Sequence, residues 1–474
     1  MKQLMKTIIV LFSFISLIFI FTLQEKIYAA SWGYDKTKMS VFKEKVQIEI
    51  DNQKLKEEDI VVVVIDSGID DQHPWFFDKN GGSRILTSYA ANCLQLIEDN
   101  ICTVGNYDDD NGHGTHVAGI ISYITPDNVK ILPVKVADSE GLVPLDAALA
   151  GFDYVLNLLD TTDLNIKVIN FSISNLTSIF DFETKKEYSQ RVNQLYDKGV
   201  MFVTSAGNAG KQRLSSWVAK APQTIVVSSL TEDMELSYFS NYGSDVDFAA
   251  PGSSIKSAYP NLYVNWGAFA EDPDNPISVI EWNLSGTSMA APHVTADIAL
   301  IYTKCPTCTP DKINQILIDS SVDIGAKGKD FKYGYGYINM EIAYKFLHEY
   351  KVEEVLIGPG TMTKHLTLSK YNSMNINSPY ANPSNKILGT TYTNTMKHFF
   401  LGGLFGGTTK NALYVSADTT IAYNFKRILD SRVKYIIVNG EKITDKTKIK
   451  EFQNKAILID QDYYIEVRFA YWPF

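Results

Sequence analysis

One uninterrupted apolar run, at residues 61–65, constrains the fold of this chain more than any other feature. All five residues are β-branched, and an acidic residue, Asp66, follows at once. A strand that is apolar on both faces is typical of a parallel sheet covered on both sides, because a strand with one wet face alternates apolar and polar residues. The run therefore predicts a buried strand in an α/β fold.

Downstream of Asp66, short β-prone runs alternate with stretches of helical apolar spacing. Strands are predicted at residues 132–136, 167–172, 200–205 and 224–228, and helices at residues 145–159 and 185–197. Such alternation indicates a parallel sheet with helices on both faces. We therefore expect Asp66 at the carboxyl edge of this sheet, where open α/β sheets place their functional sites.

A serine at the start of a predicted helix is the second informative feature. Residues 283–294 read Asn-Leu-Ser-Gly-Thr-Ser-Met-Ala-Ala-Pro-His-Val, and helical apolar spacing begins directly after Ser288. Free backbone N–H groups and the helix dipole stabilise an anion at such a position. A serine there is more often a helix cap than a nucleophile, so its partners decide its role.

Those partners are Asp66 and His113, which lies in Asn-Gly-His-Gly-Thr-His at residues 111–116. The three motifs, in the order Asp, His, Ser, resemble the subtilisin-like serine proteases (subtilases, peptidase S8 family) over roughly residues 60–347. The resemblance implies an α/β, subtilisin-like parallel sheet with helices on both faces. It also implies hydrolysis of peptide bonds through an acyl-enzyme.

The resemblance gives each catalytic residue a role. Asp66 is expected to accept the ring N–H of His113, and His113 to act as general base toward the nucleophile, Ser288. Asn208, in Ala-Gly-Asn-Ala-Gly after a predicted strand, matches the family's oxyanion-hole asparagine. The alternative for Asn208 is an ordinary turn without a catalytic function.

Two other kinds of site are disfavoured. His116 competes with His113 for the role of base, but in the family's motif the second histidine packs behind the first. A zinc site made by these two histidines lacks a nearby third ligand. The residues around Ser288 are not Gly-x-Ser-x-Gly, which disfavours an α/β-hydrolase esterase.

The resemblance also implies that substrate binds at the ends of two predicted strands. The expected substrate-binding residues are Ser172, Ser174, Ser205, Ala206 and Gly207. The chain continues after Ser172 as Ile-Ser-Asn, without the glycine pair usual in the family, and side chains at Ser174 and Asn175 would narrow the approach of an extended substrate. This predicts a selective enzyme, with Ser216 or Trp217 at the floor of the pocket for the residue before the cut.

The predicted chemistry requires no cofactor, and no metal ligands are predicted. Residues 108–111 read Asp-Asp-Asp-Asn, and we expect them to form a solvated loop that leads into His113. The loop at residues 119–134 is shorter than in calcium-binding members of the family. No calcium site is therefore predicted there, and a weak structural calcium site elsewhere is left as an alternative.

The N-terminal part carries a targeting pattern. Residues 1–30 indicate a signal peptide, because Lys2 and Lys6 precede an uncharged apolar run. This predicts secretion, and the alternative is a membrane anchor formed by an uncleaved segment. Residues 31–60 are polar with an alternating apolar piece at residues 46–50, and they are too few for the family's usual inhibitory pro-domain.

The C-terminal part differs from the catalytic region at residues 61–347. Residues 348–474 contain short β-prone runs and an Asn-Gly turn after an apolar run, which predicts a separate β-rich domain of unknown role. In an exported protein the four cysteines are expected to form disulfides, and our interpretation pairs sequence neighbours, Cys93 with Cys102 and Cys305 with Cys308. A redox or metal pair at Cys-Pro-Thr-Cys is the weaker alternative.

The net charge of −10 argues against nucleic acid as a partner and leaves a protein or peptide substrate. The sequence does not indicate an oligomeric state. The predicted function is an exported serine endopeptidase. Two alternatives stay open: a catalytically silent, peptide-binding pseudoprotease or latent zymogen, and a dedicated enzyme that matures a secreted peptide.

Overall fold

The structure is a computed structural model of the 474-residue chain. It describes residues 32–52, 55, 59–97, 101–173, 182–212, 221, 223–260, 281–357, 360–367, 391–397, 408–416, 420–427, 431–453, 455–458 and 463–471. The chain divides into two compact units, one up to Met340 and one from Glu341 to Phe474. The boundary expected from the sequence was 347/348. That boundary stays a prediction; Met340, the last residue of the first unit, donates its N–H to the Thr37 carbonyl at 2.9 Å.

The first unit is built on an eight-stranded sheet with the order β3-β2-β4-β1-β5-β6-β7-β8. The strands are β1 (Ile60–Asp66), β2 (Ala91–Ile97), β3 (Ile101–Val104), β4 (Val129–Lys135), β5 (Ile166–Phe171), β6 (Met201–Ser205), β7 (Thr224–Leu230) and β8 (Phe248–Pro251). All neighbours are parallel except the edge pair β2 and β3. The carboxyl ends of the parallel strands therefore meet at one edge of the sheet.

The described part of the chain also contains helices in both units. They are α1 (Trp32–Lys36), α2 (Met39–Asp51), α3 (His113–Ile124), α4 (Leu145–Thr161), α5 (Phe182–Asp197), α6 (Thr287–Lys304), α7 (Pro310–Ser320), α8 (Met340–Leu347) and α9 (Lys446–Phe452). Helix α7 starts as its sequence indicates, because the Thr309 side chain accepts the N–H of Lys312 at 3.3 Å.

Strand β1 shows why the sheet is covered on both faces. Val61, Val63 and Ile65 belong to an apolar cluster with residues of α4 and α5. Val62 and Val64 point the other way, are at most 1% exposed, and lie on the side where α3 and α6 pack against β1. The predicted α/β architecture, a parallel sheet with helices on both faces, is confirmed.

The alternating piece at residues 46–50 does not form a strand. It lies in α2, where Met39, Phe42 and Val46 are fully buried at helical spacing while Ile48 is 51% exposed. The buried face packs against α3 and α6, and Lys304 of α6 forms an ion pair with Glu49. The alternation of apolar and polar residues at 46–50 does not correspond to a strand. The spacing of the buried residues is that of a helix.

The remaining strands form small pairs in the first unit and two sheets in the second. The strands are β9 (Ile255–Ala258), β10 (Glu281–Leu284), β11 (Ser321–Val322), β12 (Tyr337–Ile338), β13 (Glu349–Ile357), β14 (Gly360–Thr367), β15 (Thr391–Lys397), β16 (Thr408–Ser416), β17 (Thr420–Arg427), β18 (Ser431–Val438), β19 (Glu441–Ile443), β20 (Ala456–Leu458) and β21 (Tyr463–Tyr471). In the second unit the orders are β16-β13-β21-β18-β19 and β15-β14-β17-β20. The expected β-rich character of this part is confirmed.

Two local expectations are also met. Asn439 and Gly440 connect β18 to β19 with φ values of 48° and 87°, and Val438 pairs with Glu441. Positive φ at both turn residues is the conformation that makes Asn-Gly a hairpin signal. The cysteines pair as sequence neighbours, Cys93 with Cys102 and Cys305 with Cys308.

Candidate active site

The residues singled out by the sequence converge at the carboxyl edge of the sheet. Asp66 is the last residue of β1, and Ser172 directly follows β5. Asn208 lies shortly after β6, His113 is the first residue of α3, and Ser288 is the second residue of α6. Hydrogen bonds between these segments connect the strand ends to the two helix N-termini.

Asp66 and His113 form a close charged contact in the site. The Oδ1 atom of Asp66 lies 2.7 Å from Nδ1 of His113 and also accepts the backbone N–H of Ser67 at 2.8 Å. The Asp66 side chain is 1% exposed, whereas the His113 ring is 28% exposed. Because a carboxylate can only accept, the contact places the proton on Nδ1 and leaves Nε2 of His113 as the basic atom.

Opposing effects act on the pKa of His113. Burial lowers it, but the charge and hydrogen bond of Asp66, assisted by the charge of Asp109, outweigh burial and raise the pKa above the ordinary 6.5. The imidazolium that forms when His113 takes up a proton is therefore stabilised by the site.

His116 has a different environment. It is fully buried, and its Nε2–H donates to the carbonyls of Ile255 at 3.1 Å and Trp282 at 3.0 Å. Burial lowers the pKa of His116 to about 3, so this ring stays neutral in ordinary conditions. It fastens α3 to β9 and β10 and does not reach the edge where His113 lies.

The hydroxyl of Ser288 is engaged by an acceptor other than His113. It donates to the backbone carbonyl of Ser172 at 2.8 Å, and no hydrogen bond joins it to His113 among the described residues. The Ser172 carbonyl also accepts from Ser205 Oγ at 3.3 Å. The hydroxyl must give up its hydrogen bond to the Ser172 carbonyl before it can donate to His113, and catalytic hydrogen bonds are often not formed in structures without substrate.

The amide of Asn208 is held in one orientation by Thr287. Its Oδ1 atom accepts the backbone N–H and the hydroxyl of Thr287, both at 2.8 Å. An N–H group can only donate, so the bonded amide atom must be the oxygen. The Nδ2 group therefore points away from Thr287, and it donates to no atom of the described residues.

Gly286 marks the place at which two donors meet. A Cβ atom added to Gly286 would lie 3.4 Å from Nδ2 of Asn208 and 3.6 Å from the backbone nitrogen of Ser288. The N–H of Ser288 has no acceptor in the described part of the chain. Two unused donors that flank one open position can bind an oxyanion.

The expected substrate-binding residues are only partly described. The side chains of Ser172, Ser205 and Ala206 are at most 1% exposed, so these residues can offer mainly backbone atoms to a ligand. Gly207 donates its N–H to the Thr287 hydroxyl at 3.0 Å. Ser174, Asn175, Ser216 and Trp217 lie outside the described residues.

The acidic stretch before His113 is not wholly a solvated loop, and that expectation is wrong for one residue. Asp108 and Asp110 are exposed, but Asp109 is 4% exposed and accepts hydrogen bonds from Ser67 and Thr115. It is buried because it satisfies N–H groups at the start of α3, which have no intrahelical partner. No group of three or more His, Cys, Asp or Glu side chains in the described part of the chain could hold a metal ion.

Sequence reasoning missed Thr287 and Asp109. Thr287 directly precedes Ser288, and only the structure shows that it holds the amide of Asn208 through two hydrogen bonds. Asp109 precedes the first helical residue by four positions, a spacing that could have suggested a role at the helix N-terminus.

Comparison with known proteins gives a consistent result. The subtilase family model matches residues 57–336. The minor extracellular protease Epr of Bacillus subtilis (strain 168) is 31% identical over 289 residues, which are 59% of this chain and 37% of that protein. This chain therefore spans about a third of the length of Epr.

Two further proteins are similar over most of their own length. The subtilisin of Bacillus pumilus is 32% identical over 292 residues, which are 60% of this chain and 90% of that protein. The crystal structure of a lanthipeptide protease is 25% identical, with a TM-score of 0.50 over 68% of this chain and 99% of that chain. From the extent of the family match and the similarity to the Bacillus pumilus protein, the chain belongs to the subtilase family, whose members are serine endopeptidases.

Proposed function

We propose that this chain is an exported serine endopeptidase in which Asp66, His113, Ser288 and Asn208 carry out the chemistry. The observation that carries the proposal is the 2.7 Å contact of Asp66 Oδ1 with His113 Nδ1. This contact leaves Nε2 as a base whose protonated form is stabilised. A binding protein has no need of such a pair beside an open oxyanion position.

The proposed reaction begins with rotation of the Ser288 side chain. The hydroxyl leaves the Ser172 carbonyl and donates to Nε2 of His113, which takes the proton as Oγ attacks the substrate carbonyl carbon. The oxyanion is stabilised by Nδ2 of Asn208 and the N–H of Ser288. His113 then gives the proton to the leaving amine. In the second half of the reaction, His113 takes a proton from the water that attacks the acyl-enzyme and gives it to Oγ of Ser288 as the product acid leaves.

Export is part of the proposal. Residues 1–30 have the pattern of a signal peptide but lie outside the described residues. Two disulfides suit an oxidising compartment outside the cytoplasm, and the similar Epr is named an extracellular protease. In the described ranges, no helix has the length and apolar character to cross a membrane.

We further propose that the substrate is a secreted peptide precursor and that cleavage is selective. The supporting observation is the similarity to a lanthipeptide protease over 99% of that chain. The sequence Ile-Ser-Asn after Ser172, in place of a glycine pair, also favours a restricted cleft. The proposed partner is thus a peptide with one preferred cleavage site.

The reaction is tested with the purified protein on a denatured protein substrate and on a peptide library. We expect new peptide termini with the wild-type chain and none with Ser288→Ala or His113→Ala. Equal cleavage by wild type and Ser288→Ala would exclude the proposed nucleophile. A few preferred library sites would support selective processing, whereas cleavage after most residue types would indicate a general digestive enzyme.

A further inference from the structure

Asp109 is a buried carboxylate beside the proposed active site, and each of its oxygens is saturated with donors. Its Oδ1 atom accepts the hydroxyl of Ser67 at 2.8 Å and the backbone N–H groups of Asn111 at 3.1 Å and Gly112 at 2.8 Å. Its Oδ2 atom accepts the N–H and the hydroxyl of Thr115 at 2.8 and 2.7 Å. One side chain thus fixes the backbone on both sides of His113.

Ser67 connects this carboxylate to Asp66. The backbone N–H of Ser67 donates to Oδ1 of Asp66, and its hydroxyl donates to Oδ1 of Asp109, both at 2.8 Å. The same hydroxyl accepts the N–H of Gly114 at 2.9 Å. The Asp66 side chain and the first turn of α3 therefore belong to one buried network, in which Asp109 is the second negative charge.

We infer that Asp109 is a positioning residue for His113, acting through the start of α3 and through its charge. The inference rests on the proposed function, because it concerns the protonation of the proposed base. Asp109 holds the backbone that carries the His113 ring, and its charge stabilises the imidazolium formed during each half-reaction. It does not touch the reacting atoms.

The charges around His113 support this assignment. Asp66 contacts the ring from β1, and Asp109 approaches from the preceding loop; both raise the pKa of His113 against the effect of burial. His116, one turn further along α3, is neutral. From β4, Lys135 donates to the Ser67 carbonyl and pairs with the exposed Asp110 at 2.6 Å. The two charges that act on the pKa of the imidazole are thus the carboxylates of Asp66 and Asp109.

A purely structural role for Asp109 is the competing explanation, and it makes a different prediction. A cap that only holds the helix adds no charge, so as long as the Asp66–His113 contact is kept, its loss changes stability but not the pH at which His113 titrates. A charge that also stabilises the imidazolium affects that pH directly. The test must therefore read out titration as well as rate.

The test compares Asp109→Asn with Asp108→Asn, which removes an exposed charge from the same loop. Histidine NMR titration is carried out in the Ser288→Ala background, and the pH dependence of kcat/KM in the active background. We expect Asp109→Asn to move both His113 transitions to lower pH and to lower the plateau of kcat/KM about tenfold. Asp108→Asn should leave the plateau of kcat/KM and both His113 transitions near their wild-type values. An unchanged His113 transition in folded Asp109→Asn would overturn the inference.

A second variant covers the case in which Asp109→Asn does not fold. Ser67→Ala keeps the charge of Asp109 but removes the hydroxyl that connects Asp109 to the N–H of Gly114. We expect it to lower the plateau of kcat/KM while the His113 titration stays raised; wild-type kinetics would overturn the positioning role. Because the NMR titration needs no turnover, it can succeed or fail independently of the proposed protease activity.

Discussion

The Oδ1 atom of Asn208 accepts two hydrogen bonds from Thr287, one from its backbone N–H and one from its hydroxyl, both at 2.8 Å. The hydroxyl also accepts the N–H of Gly207 at 3.0 Å. This arrangement fixes the amide so that its two N–H donors face away from Thr287. The residue before the proposed nucleophile thus orients the group proposed to stabilise the oxyanion.

Removal of the Asn208 amide is expected to slow the chemical step. Asn208→Ala should lower kcat by about 10²–10³, the loss known for such a donor in subtilisin, with little change in KM. The donor acts mainly in the transition state, so ground-state binding is spared. Steady-state kinetics on one peptide substrate measures both constants. A variant with wild-type kcat would contradict an oxyanion role.

Thr287 should contribute through the orientation of that amide. Thr287→Val keeps the buried shape but removes the hydroxyl, and we expect kcat to fall roughly fivefold, the equivalent of one hydrogen bond of about 1 kcal/mol. Thr287→Ser retains the hydroxyl and should remain near the wild-type rate. If valine and serine behave alike, the hydroxyl does not orient Asn208.

Gly286 should be required for activity but not for folding. Its φ is 172°, which any residue adopts, and an added Cβ would meet no atom closer than 3.4 Å. The new methyl group would, however, occupy the position between the donors of Asn208 and Ser288. Gly286→Ala is expected to keep the wild-type Tm and to lose about 10²–10³ in kcat.

Gly243 provides the matched control, because an added Cβ there would have nothing within 4 Å. Gly243→Ala should keep both Tm and kcat. If Gly286→Ala is as active as Gly243→Ala, the oxyanion does not bind beside Gly286.

The pH dependence of kcat/KM should have an acid limb set by His113. Its pKa is raised above 6.5, so activity is lost as the pH falls through a value higher than that of a free histidine. His116 and His293, with pKa values lowered by burial to about 3 and about 4, do not titrate in this range. Asp66→Asn removes the charge and should move the limb to lower pH. A wild-type limb centred below 6.5 would contradict the pairing.

The same pair has a consequence for stability. Because folding raises the pKa of His113, the pair increases the free energy of unfolding, and this increase is fully present below the pKa that His113 has in the unfolded chain. It is lost as the pH rises through the folded value.

Helix α2 should behave as a structural part of the first unit. Phe42 is fully buried between this helix and the domain, and Phe42→Ala is expected to lower the free energy of unfolding by about 3–5 kcal/mol. Ile48 lies on the same helix but is 51% exposed, so Ile48→Ala should change it by less than about 1 kcal/mol. Denaturant unfolding measures both values, and equal effects would show that the helix does not pack as described.

Much of the sheet edge that carries the candidate site could be predicted from the sequence because its signals are local. The apolar run at residues 61–65 requires a covered strand, and a strand places the residue that follows it, Asp66, at the sheet edge. The Asn-Gly turn at 439–440 needs no tertiary information either. In such places local composition and the global fold agree.

The remainder depends on distances that no local pattern encodes. Asp108, Asp109 and Asp110 are the same residue type in a row, and only the backbone at the start of α3 decides which carboxylate is buried. The direction of the Ser288 hydroxyl is a rotamer choice between two acceptors, Ser172 and His113. In α2, an alternating composition concealed a helical pattern of burial.

Treatment of the purified protein with a fluorophosphonate, followed by peptide mass spectrometry, tests the central claim most directly. Such a probe reacts with a serine whose proton is taken by a neighbouring base. We expect one adduct, on Ser288, in the wild-type chain, a much slower reaction in His113→Ala, and no adduct in Ser288→Ala. A folded wild-type protein that carries no adduct at Ser288, or carries it on another serine, would contradict the proposed active site.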